Sequence, residues 1–335
     1  MSAAAIEEWR DDGRAPDLAG IVDRARPLVI RGLLRDWPLV QWARQSDTCF
    51  AERIAALDNG TPVDTLLLPP EADGIVGYKP ALDGFNYEHF RVPLTLGLQR
   101  LAGYSRRERP PGLAIQSAPV AACVPGLLDD HPAPLSGVTA PPRLWIGNQV
   151  TTPVHFDASH NIACVACGRR RFTLFPPEQL PNLYIGPPDL APTGAAIGVA
   201  RLDRPDDPRY PRLKLALAAA QAAVLEPGDA IYIPPLWWHH VESLERLNAL
   251  VNYWWSPLDE PDYTTGHAQA ALFHAALAFR ALPPEQRAGW RQLLDHYVFA
   301  ETDPLAHLPE DRRGALGART PQVLERLREL ARKYL

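Results

Sequence analysis

Lysine, methionine and cysteine are scarce in this chain of 335 residues. Its 34 basic residues are almost all arginine, since only Lys79, Lys214 and Lys333 are lysines. Four cysteines are too few for a disulfide-based scaffold. Cys164 and Cys167 form a single C-x-x-C in an apolar run, and without a second pair we interpret them as packing residues of a buried strand rather than a zinc or redox site.

Runs of like charge and long apolar segments are also missing. The 34 basic and 39 acidic residues give a formal net charge of −5, and neither sign is concentrated, so the sequence predicts no nucleic-acid partner. No stretch approaches the roughly 18 apolar residues of a membrane span, and the first residues lack the pattern of a secretory signal. We therefore expect a cytoplasmic protein, without membrane association, that acts on a small molecule or another protein.

What the sequence does contain is a series of short strand-like runs. They are separated by proline and glycine, which is typical of a sandwich or small barrel rather than a βαβ sheet. The runs lie at 144–146, 154–157, 162–165, 171–175, 223–225, 230–233 and 249–255. A jelly roll is the natural candidate for this region. Before it, a strand-like run at 27–30 and a helical pattern at 49–57 predict mixed α/β elements.

The rest of the chain has two other patterns. Residues 176–222 are rich in proline, glycine and aspartate and end in a helix-like piece, which is typical of a surface insertion that shapes a substrate mouth. After about residue 260, apolar residues at helical spacing predict helices. We expect the chain to have two parts: residues 1–260, with a jelly-roll core at about 143–256, and a C-terminal helical region, residues 261–335. The apolar stripes of that region are at Leu272, Ala275, Ala276 and Phe279, and at Val323, Leu327, Leu330, Ala331 and Tyr334.

Two segments carry candidate metal ligands. Residues 151–157 read TTPVHFD, and in a strand the side chains of His155 and Asp157 share one face. A His-x-Asp pair alone is common by chance. Residues 226–240 read EPGDAIYIPPLWWHH, in which a turn and an apolar strand lead to His239 and His240. Two histidines and one carboxylate leave the other positions of an ion open, as suits non-haem iron(II) oxygenases. Neighbouring strand residues face opposite ways, so only one of the paired histidines should bind.

These segments resemble the JmjC/cupin-like family of iron(II)- and 2-oxoglutarate-dependent oxygenases, and within it the asparaginyl hydroxylase that acts on hypoxia-inducible factor. The similarity is strong over 143–179 and 225–256. It implies a double-stranded β-helix fold, with iron(II) bound by His155, Asp157 and His239. By the same resemblance His240 is a neighbouring polar residue, and the C-terminal helices form a homodimer; packing of these helices on their own subunit is the alternative.

The resemblance also implies a site for 2-oxoglutarate as co-substrate. Thr152, Asn161 and Asn252 match polar residues that contact it, although each could instead be a turn residue or satisfy a buried backbone group. Where the family has a lysine for the distal carboxylate, this sequence has Arg170, which can pair with a carboxylate through two hydrogen bonds. A solvated basic edge is the alternative for Arg170. A tyrosine of the family is missing, and Gln116 is nearest to its place.

The activity that the resemblance implies is hydroxylation of a protein or peptide side chain, with 2-oxoglutarate converted to succinate and carbon dioxide. Two alternatives remain open. A zinc-type metal hydrolase would suit the same ligands but would not require 2-oxoglutarate. A non-catalytic metal-binding cupin scaffold is disfavoured because all three ligands are present. Five tryptophans either line the dry pocket or pack in the core: Trp145, Trp237, Trp238, Trp254 and Trp255.

Overall fold

Two β-sheets dominate the computed structural model, which describes residues 3–9, 16–192, 195–256, 265–318 and 320–333. The strands are β1 (Ala4–Ala5), β2 (Leu28–Ile30), β3 (Val63–Leu68), β4 (Glu88–Val92), β5 (Gly112–Pro119), β6 (Arg143–Gly147), β7 (Thr151–Phe156), β8 (His160–Cys167), β9 (Arg170–Phe175), β10 (Gln221–Leu225), β11 (Ala230–Ile233), β12 (Trp238–Ser243) and β13 (Asn248–Trp255). One sheet has the order β1-β10-β9-β12-β7, and the other has the order β2-β11-β8-β13-β6-β5-β3-β4.

The two sheets pack face to face around a shared apolar core. Phe172 and Leu174 of the five-stranded sheet lie in one buried cluster with Ala163, Val165 and Ile231 of the eight-stranded sheet. All strand pairs are antiparallel except β1 with β10. Two antiparallel sheets with interdigitating inner faces make a sandwich. The predicted jelly roll with additional N-terminal and C-terminal elements is confirmed.

Helices cover the outer face of the eight-stranded sheet. They are α1 (Leu18–Asp23), α2 (Pro38–Gln45), α3 (Asp47–Leu57), α4 (Leu94–Tyr104) and α5 (Val120–Cys123), whereas α6 (Leu213–Ala218) packs on the five-stranded sheet through Ala216. Leu39, Phe50 and Leu98 from the first group share a second buried cluster with Ile162 and Val251 of the eight-stranded sheet. Alternate residues of β8 therefore enter different clusters, which explains why all eight of its residues are buried. Its cysteines are free and buried, as predicted.

The chain divides into two compact units, Met1–Asp259 and Glu260–Leu335. The second unit contains α7 (Thr265–Phe279), α8 (Pro284–Tyr297) and α9 (Pro321–Lys333). Phe279 stacks on Trp290 of α8, with ring centroids 5.3 Å apart. The helical patterns predicted around 272–279 and 323–331 are thus present, while Tyr334 lies outside the described residues. Within the described ranges, no helix is both long and apolar enough to cross a membrane.

The strand β7, which carries His155 and directly precedes Asp157, lies at the edge of its sheet and is held there by hydrogen bonds from neighbouring loops. The Val76 N–H donates to Thr151 O (3.1 Å), the Thr151 N–H donates to Gly74 O (2.9 Å), and the Gly198 N–H donates to Val154 O (2.7 Å). Gly198 belongs to the insertion between β9 and β10, which also contains a 3₁₀ helix and α6. Covering an edge strand in this way satisfies its backbone groups and fixes its position.

The Pro-Gly-Asp turn before β11 has a structural role. Gly228 has φ +105°, a conformation that residues with a side chain rarely adopt. The Asp229 carboxylate accepts hydrogen bonds from the Gly32 and Glu226 N–H groups and pairs with Arg31. The turn thereby ties β10 and β11 to the N-terminal segment, and it sets where the apolar strand leading to His239 begins.

Candidate metal centre

His155 and His239 lie directly opposite each other on two adjacent antiparallel strands, β7 and β12. Their ring centroids are 4.1 Å apart. Asp157 follows β7 by one residue, and its backbone oxygen accepts a hydrogen bond from the Leu236 N–H (2.8 Å), which ties the chain before β12 to the end of β7. One ligand atom from each of the three side chains lies within 4.8 Å of the other two. The sequence prediction that these three residues converge is supported by this geometry.

The hydrogen bonds of both histidines favour a tautomer that is suited to metal binding through Nε2. His155 Nδ1 is 2.9 Å from Pro153 O, and His239 Nδ1 is 3.1 Å from Trp237 O. A carbonyl oxygen only accepts, so each Nδ1 carries the hydrogen and each Nε2 keeps its lone pair. Hydrogen bonds of this kind orient metal-binding imidazoles in other metalloproteins. The two Nε2 atoms are therefore the ones available to bind a metal.

Burial keeps the His239 ring neutral. Burial and, after it, the nearby His155 ring lower the pKa of His239 to about 4, although Asp157 and the hydrogen bond to Trp237 act in the opposite direction. His239 Nε2 lies 3.6 Å from an oxygen of Asp157, but at neutral pH this contact is not an ion pair because the ring is uncharged. Neutral imidazoles next to a carboxylate form a donor set for a divalent cation. The residues present thus fit the iron(II) that the sequence implies.

Asp157 is held by two neighbouring side chains. Its Oδ2 accepts hydrogen bonds from the Asn161 amide (3.2 Å) and from the Trp254 indole N–H (3.0 Å). Asn161 Oδ1 accepts from Asn252 Nδ2 (3.2 Å), and Asn252 Oδ1 accepts from the Trp145 indole (2.7 Å). Trp145 then meets Trp254 edge to face, with centroids 5.7 Å apart. Five residues thus form a closed ring of contacts, in which each asparagine amide retains one N–H for another partner.

Thr152 reaches the inner face of β7 through an irregularity in the strand. It is three residues before His155, and regular alternation would turn it outward. The pairing of β12 with β7 shifts between His239 and Val241, so that Thr152 lies opposite Val241. Val241 packs on the core between the sheets, and residues directly opposite each other share a face. A β-bulge therefore brings Thr152 to the same side as His155.

Arg170 lies on the same inner face, at the opposite end of the strands from the histidines. Leu174 pairs with His239, and Arg170 precedes Leu174 by four residues, or about 13 Å along the strand. Arg170 is 9% exposed, and its Nε has no hydrogen-bond partner among the described residues. Burial lowers its pKa to about 10, so the guanidinium still carries its charge at neutral pH. A buried cation without a counterion suits a carboxylate ligand. The alternative of a solvated basic edge is wrong for Arg170.

His240 faces away from the candidate ligands. It lies opposite Thr173 on the outer face of the five-stranded sheet, and its Nδ1 has no partner in the described part of the chain. Burial, reinforced by His155, lowers the pKa of His240 to about 4. As strand alternation predicts, His239 and His240 face opposite sides of the sheet. The sequence analysis did not predict the hydrogen bonds of Trp145 and Trp254, although a buried indole N–H needs an acceptor and both residues fall on the inner face by alternation.

A jelly roll with two histidines and one aspartate grouped on its inner face defines a cupin-type protein with a candidate metal centre. The profile described as "Cupin-like domain" matches residues 16–260. The chain belongs to this family, and the recognition of a JmjC/cupin-type domain in the sequence is confirmed.

Three relatives show how far the similarity to known proteins extends. Lysine-specific demethylase JMJ31 of Arabidopsis thaliana is 35% identical over 115 residues, covering 34% of this chain and 20% of the relative. Jumonji C domain-containing protein 5 of Drosophila melanogaster is 34% identical over 114 residues, covering 34% and 27%. HSPB1-associated protein 1 of Homo sapiens is 35% identical over 115 residues, covering 33% and 22%. The chain therefore matches only about a quarter of the length of these relatives.

Proposed function

We propose that this protein is an iron(II)- and 2-oxoglutarate-dependent dioxygenase that hydroxylates a side chain of a protein or peptide. The observation that carries the proposal is the grouping of His155, Asp157 and His239, with ligand atoms within 4.8 Å of one another. They lie on the inner face that also holds the buried cation of Arg170, whose Nε has no hydrogen-bond partner among the described residues. Such a metal triad with open positions suits non-haem iron(II) oxygenases.

The three side chains hold the metal, and the inner face holds the co-substrate. His155 and His239 bind through Nε2, because their Nδ1–H groups donate to backbone carbonyls. Arg170 pairs with the distal carboxylate of 2-oxoglutarate. The Thr152 hydroxyl and the remaining N–H groups of Asn161 and Asn252 can donate hydrogen bonds to the other oxygens of 2-oxoglutarate. These four assignments are proposals, supported by the shared inner face.

When bound, iron(II) with 2-oxoglutarate and dioxygen supplies the oxidising power that converts a substrate C–H bond into C–OH, with release of succinate and carbon dioxide. The protein contributes orientation and the exclusion of water. Phe172, Leu174 and Leu250 line the interior between the sheets, and an apolar lining protects a reactive centre from side reactions. The indoles of Trp145 and Trp254 complete this lining while their N–H groups are bonded within the site.

A protein or peptide is the proposed substrate class. Two plant relatives are named lysine-specific demethylases, and hydroxylation of an N-methyl carbon, followed by loss of that carbon as formaldehyde, would produce demethylation by the same chemistry. Transfer of one oxygen atom to a peptide, or loss of a methyl group from a methylated lysine peptide, would distinguish the two outcomes by mass spectrometry. The resemblance to the asparaginyl hydroxylase stays a prediction.

The experiment that tests the function is 2-oxoglutarate turnover by the purified protein with iron(II). We expect succinate formation that depends on 2-oxoglutarate and is lost in His239→Ala. Hydrolytic activity with zinc(II), without any use of 2-oxoglutarate, would instead support the metal hydrolase. Metal binding without turnover across a broad peptide library would support the scaffold.

Homodimerisation through the C-terminal helices is also part of the proposal. Leu272 (57% exposed), Leu277 (81%) and Phe299 (71%) present apolar surface in the second unit. Exposed apolar surface of this kind marks interaction sites, and a second copy of the same helices would cover it symmetrically. A cytoplasmic location stays a prediction; the four free thiols of the chain are in keeping with a reducing compartment.

A further inference from the structure

The outer face of the five-stranded sheet is packed at one end and hollow at the other. At the packed end, Phe175 and Trp238 share a buried apolar cluster with Ala216 of α6. At the other end, a cavity of about 910 Å³ lies against the sheet, between residues 71–86 of the loop that joins β3 to β4 and residues 198–217 of the insertion. Its volume is within the roughly 300–1,000 Å³ of small-molecule sites. We call it the outer-face cavity, since the metal ligands lie on the other side of the sheet.

Polar side chains form part of the floor of the outer-face cavity. Ala222, Thr173 and His240 lie in one row across β10, β9 and β12, because Thr173 is directly opposite both other residues. Thr173 is 8% and His240 is 9% exposed, and His240 Nδ1 has no hydrogen-bond partner among the residues described. Leaving a buried polar atom unpaired costs free energy, so a polar group of a ligand beside the ring would stabilise this floor.

The two walls of the cavity are joined to each other and to the sheet. The Tyr78 hydroxyl of the loop donates to Leu190 O (2.9 Å) and accepts from the Ile197 N–H (3.3 Å) of the insertion. Both walls also bond to the backbone of the edge strand β7, through Val76 and Gly198. A cavity whose walls are fixed by such bonds is largely preformed, so a ligand would lose little free energy in ordering them.

The charged side chains around the cavity have an unpaired positive excess. Three arginines pair with acidic neighbours: Arg171 with Glu242, Arg201 with Asp203, and Arg209 with Asp207. The remaining charged residues of the lining form no ion pair within the described ranges: Lys79, Arg204 and Glu71. Two unpaired cations against one unpaired carboxylate favour an anionic ligand. The same lining contains the apolar side chains of Ile75, Leu202 and Leu217, which favour a ligand that also has an apolar part.

We propose that the outer-face cavity binds a small organic anion. Lys79 and Arg204, which are exposed at the rim, hold its anionic group. Its polar atoms reach Thr173 and His240 on the floor, and its apolar part packs on the walls. The ligand site is separate from the metal centre, because neighbouring residues of β12 direct His239 inward and His240 outward. The inference is therefore independent of the proposed oxygenase function.

The test uses anilinonaphthalene sulfonate, an aromatic anion whose fluorescence rises in apolar surroundings, and N-phenylnaphthylamine, its neutral analogue without the sulfonate. Fluorescence titration of the full-length protein measures both affinities. We expect a saturable site whose affinity for the anion is about 3- to 30-fold lower in the double variant Lys79→Gln/Arg204→Gln, the range for two partly exposed ion pairs. The affinity for the neutral analogue should be the same in the wild type and the double variant, because this probe makes no ion pair.

Arg212→Gln is the matched control. Arg212 is an exposed arginine of the same insertion, but it lies over the Tyr184 ring, with Cζ 5.5 Å from the ring centroid, and does not line the cavity. Its replacement removes the same charge from the same segment, so both affinities should stay at their wild-type values. Ala222→Trp places a large ring on the floor of the cavity and should abolish the saturable binding of both probes.

Thermal unfolding checks that each variant is folded. The two rim substitutions are at exposed positions, so the double variant tests the inference even if Ala222→Trp fails to fold. Equal affinity for the anion in the wild type and the folded double variant would overturn the inference. An equal loss in Arg212→Gln would do the same, since the effect would then be one of general surface charge. Binding that a folded Ala222→Trp variant leaves unchanged would place the probe outside the cavity and contradict the proposal.

Discussion

The imidazole rings of His155 and His239 face each other across two hydrogen-bonded strands, with centroids 4.1 Å apart. Both rings donate Nδ1–H to the carbonyl oxygen two residues earlier in the chain, at Pro153 and Trp237. This repeated arrangement directs both Nε2 lone pairs towards the same space beside Asp157.

Removal of His239 should abolish metal binding while leaving the fold intact. In His239→Ala, one of three ligands is lost, and we expect Co(II) affinity to fall by more than about 100-fold, because even the loss of a partner of a ligand costs 10- to 100-fold. Spectroscopic titration with Co(II) measures this. His240→Gln is the matched control, since that ring faces the other side of the sheet. Equal losses in both variants, with both folded, would contradict the assignment.

Acid should destabilise the metal-free protein in a defined pH range. Burial lowers the pKa of both His239 and His240 to about 4, while the unfolded value is about 6.5. Between these values the unfolded state binds more protons than the folded state, so stability is full above about pH 6.5 and is lost as the pH falls towards 4. Thermal unfolding between pH 7.5 and 4.5 measures the loss. His240→Gln should flatten the dependence, and an unchanged slope would argue against a buried neutral ring at this position.

Arg170 should determine the affinity for 2-oxoglutarate. In Arg170→Met the carboxylate loses its charged partner, and we expect the Michaelis constant to rise by about 10- to 100-fold, in line with hydrogen bonds to charged groups. The metal-free variant should be at least as stable as the wild type, because it removes a buried guanidinium whose Nε has no hydrogen-bond partner among the described residues. Arg170→Lys keeps the charge and should fall between the two. An unchanged Michaelis constant in Arg170→Met would rule out the anchor role.

The second unit should mediate self-association. Leu277→Glu places a charge on the most exposed of the large apolar side chains of α7, and we expect a dimeric wild type to become a monomer, as measured by light scattering during size-exclusion chromatography. Leu215→Glu is the control, because Leu215 is 59% exposed on α6 in the first unit. A wild-type monomer, or a Leu277→Glu dimer as stable as the wild type, would contradict homodimerisation through these helices.

Much of the fold could be predicted because most strands of the sandwich have their own local signal, although β12, which carries His239, and β3 to β5 are missing from the predicted runs. The apolar run of β8 and the alternation around His155 and Asp157 identify buried and half-buried strands without any knowledge of their partners. The C-terminal helices could likewise be predicted from the helical spacing of their apolar residues. The N-terminal helices on the eight-stranded sheet were harder to predict, since only α3 has a clear pattern, and their positions depend on packing against strands distant in sequence.

The site was only partly predictable because its contacts depend on strand register. Residue spacing places His155 beside Asp157, but only the pairing of β12 with β7 brings His239 opposite His155. The bulge that turns Thr152 inward has no signal in the spacing, which favours the outer face. The contact of Trp254 with Asp157 joins residues that lie 97 positions apart, and no local pattern predicts such a pair.

The most direct test of the central claim is the visible absorption of the iron(II) protein when 2-oxoglutarate is added without oxygen. Chelation of the keto acid on a ferrous ion held by His155, Asp157 and His239 should produce a charge-transfer band that saturates at one equivalent and is missing in His239→Ala. An iron(II)-loaded, folded wild-type protein that shows no band and no saturable binding of 2-oxoglutarate would contradict the account.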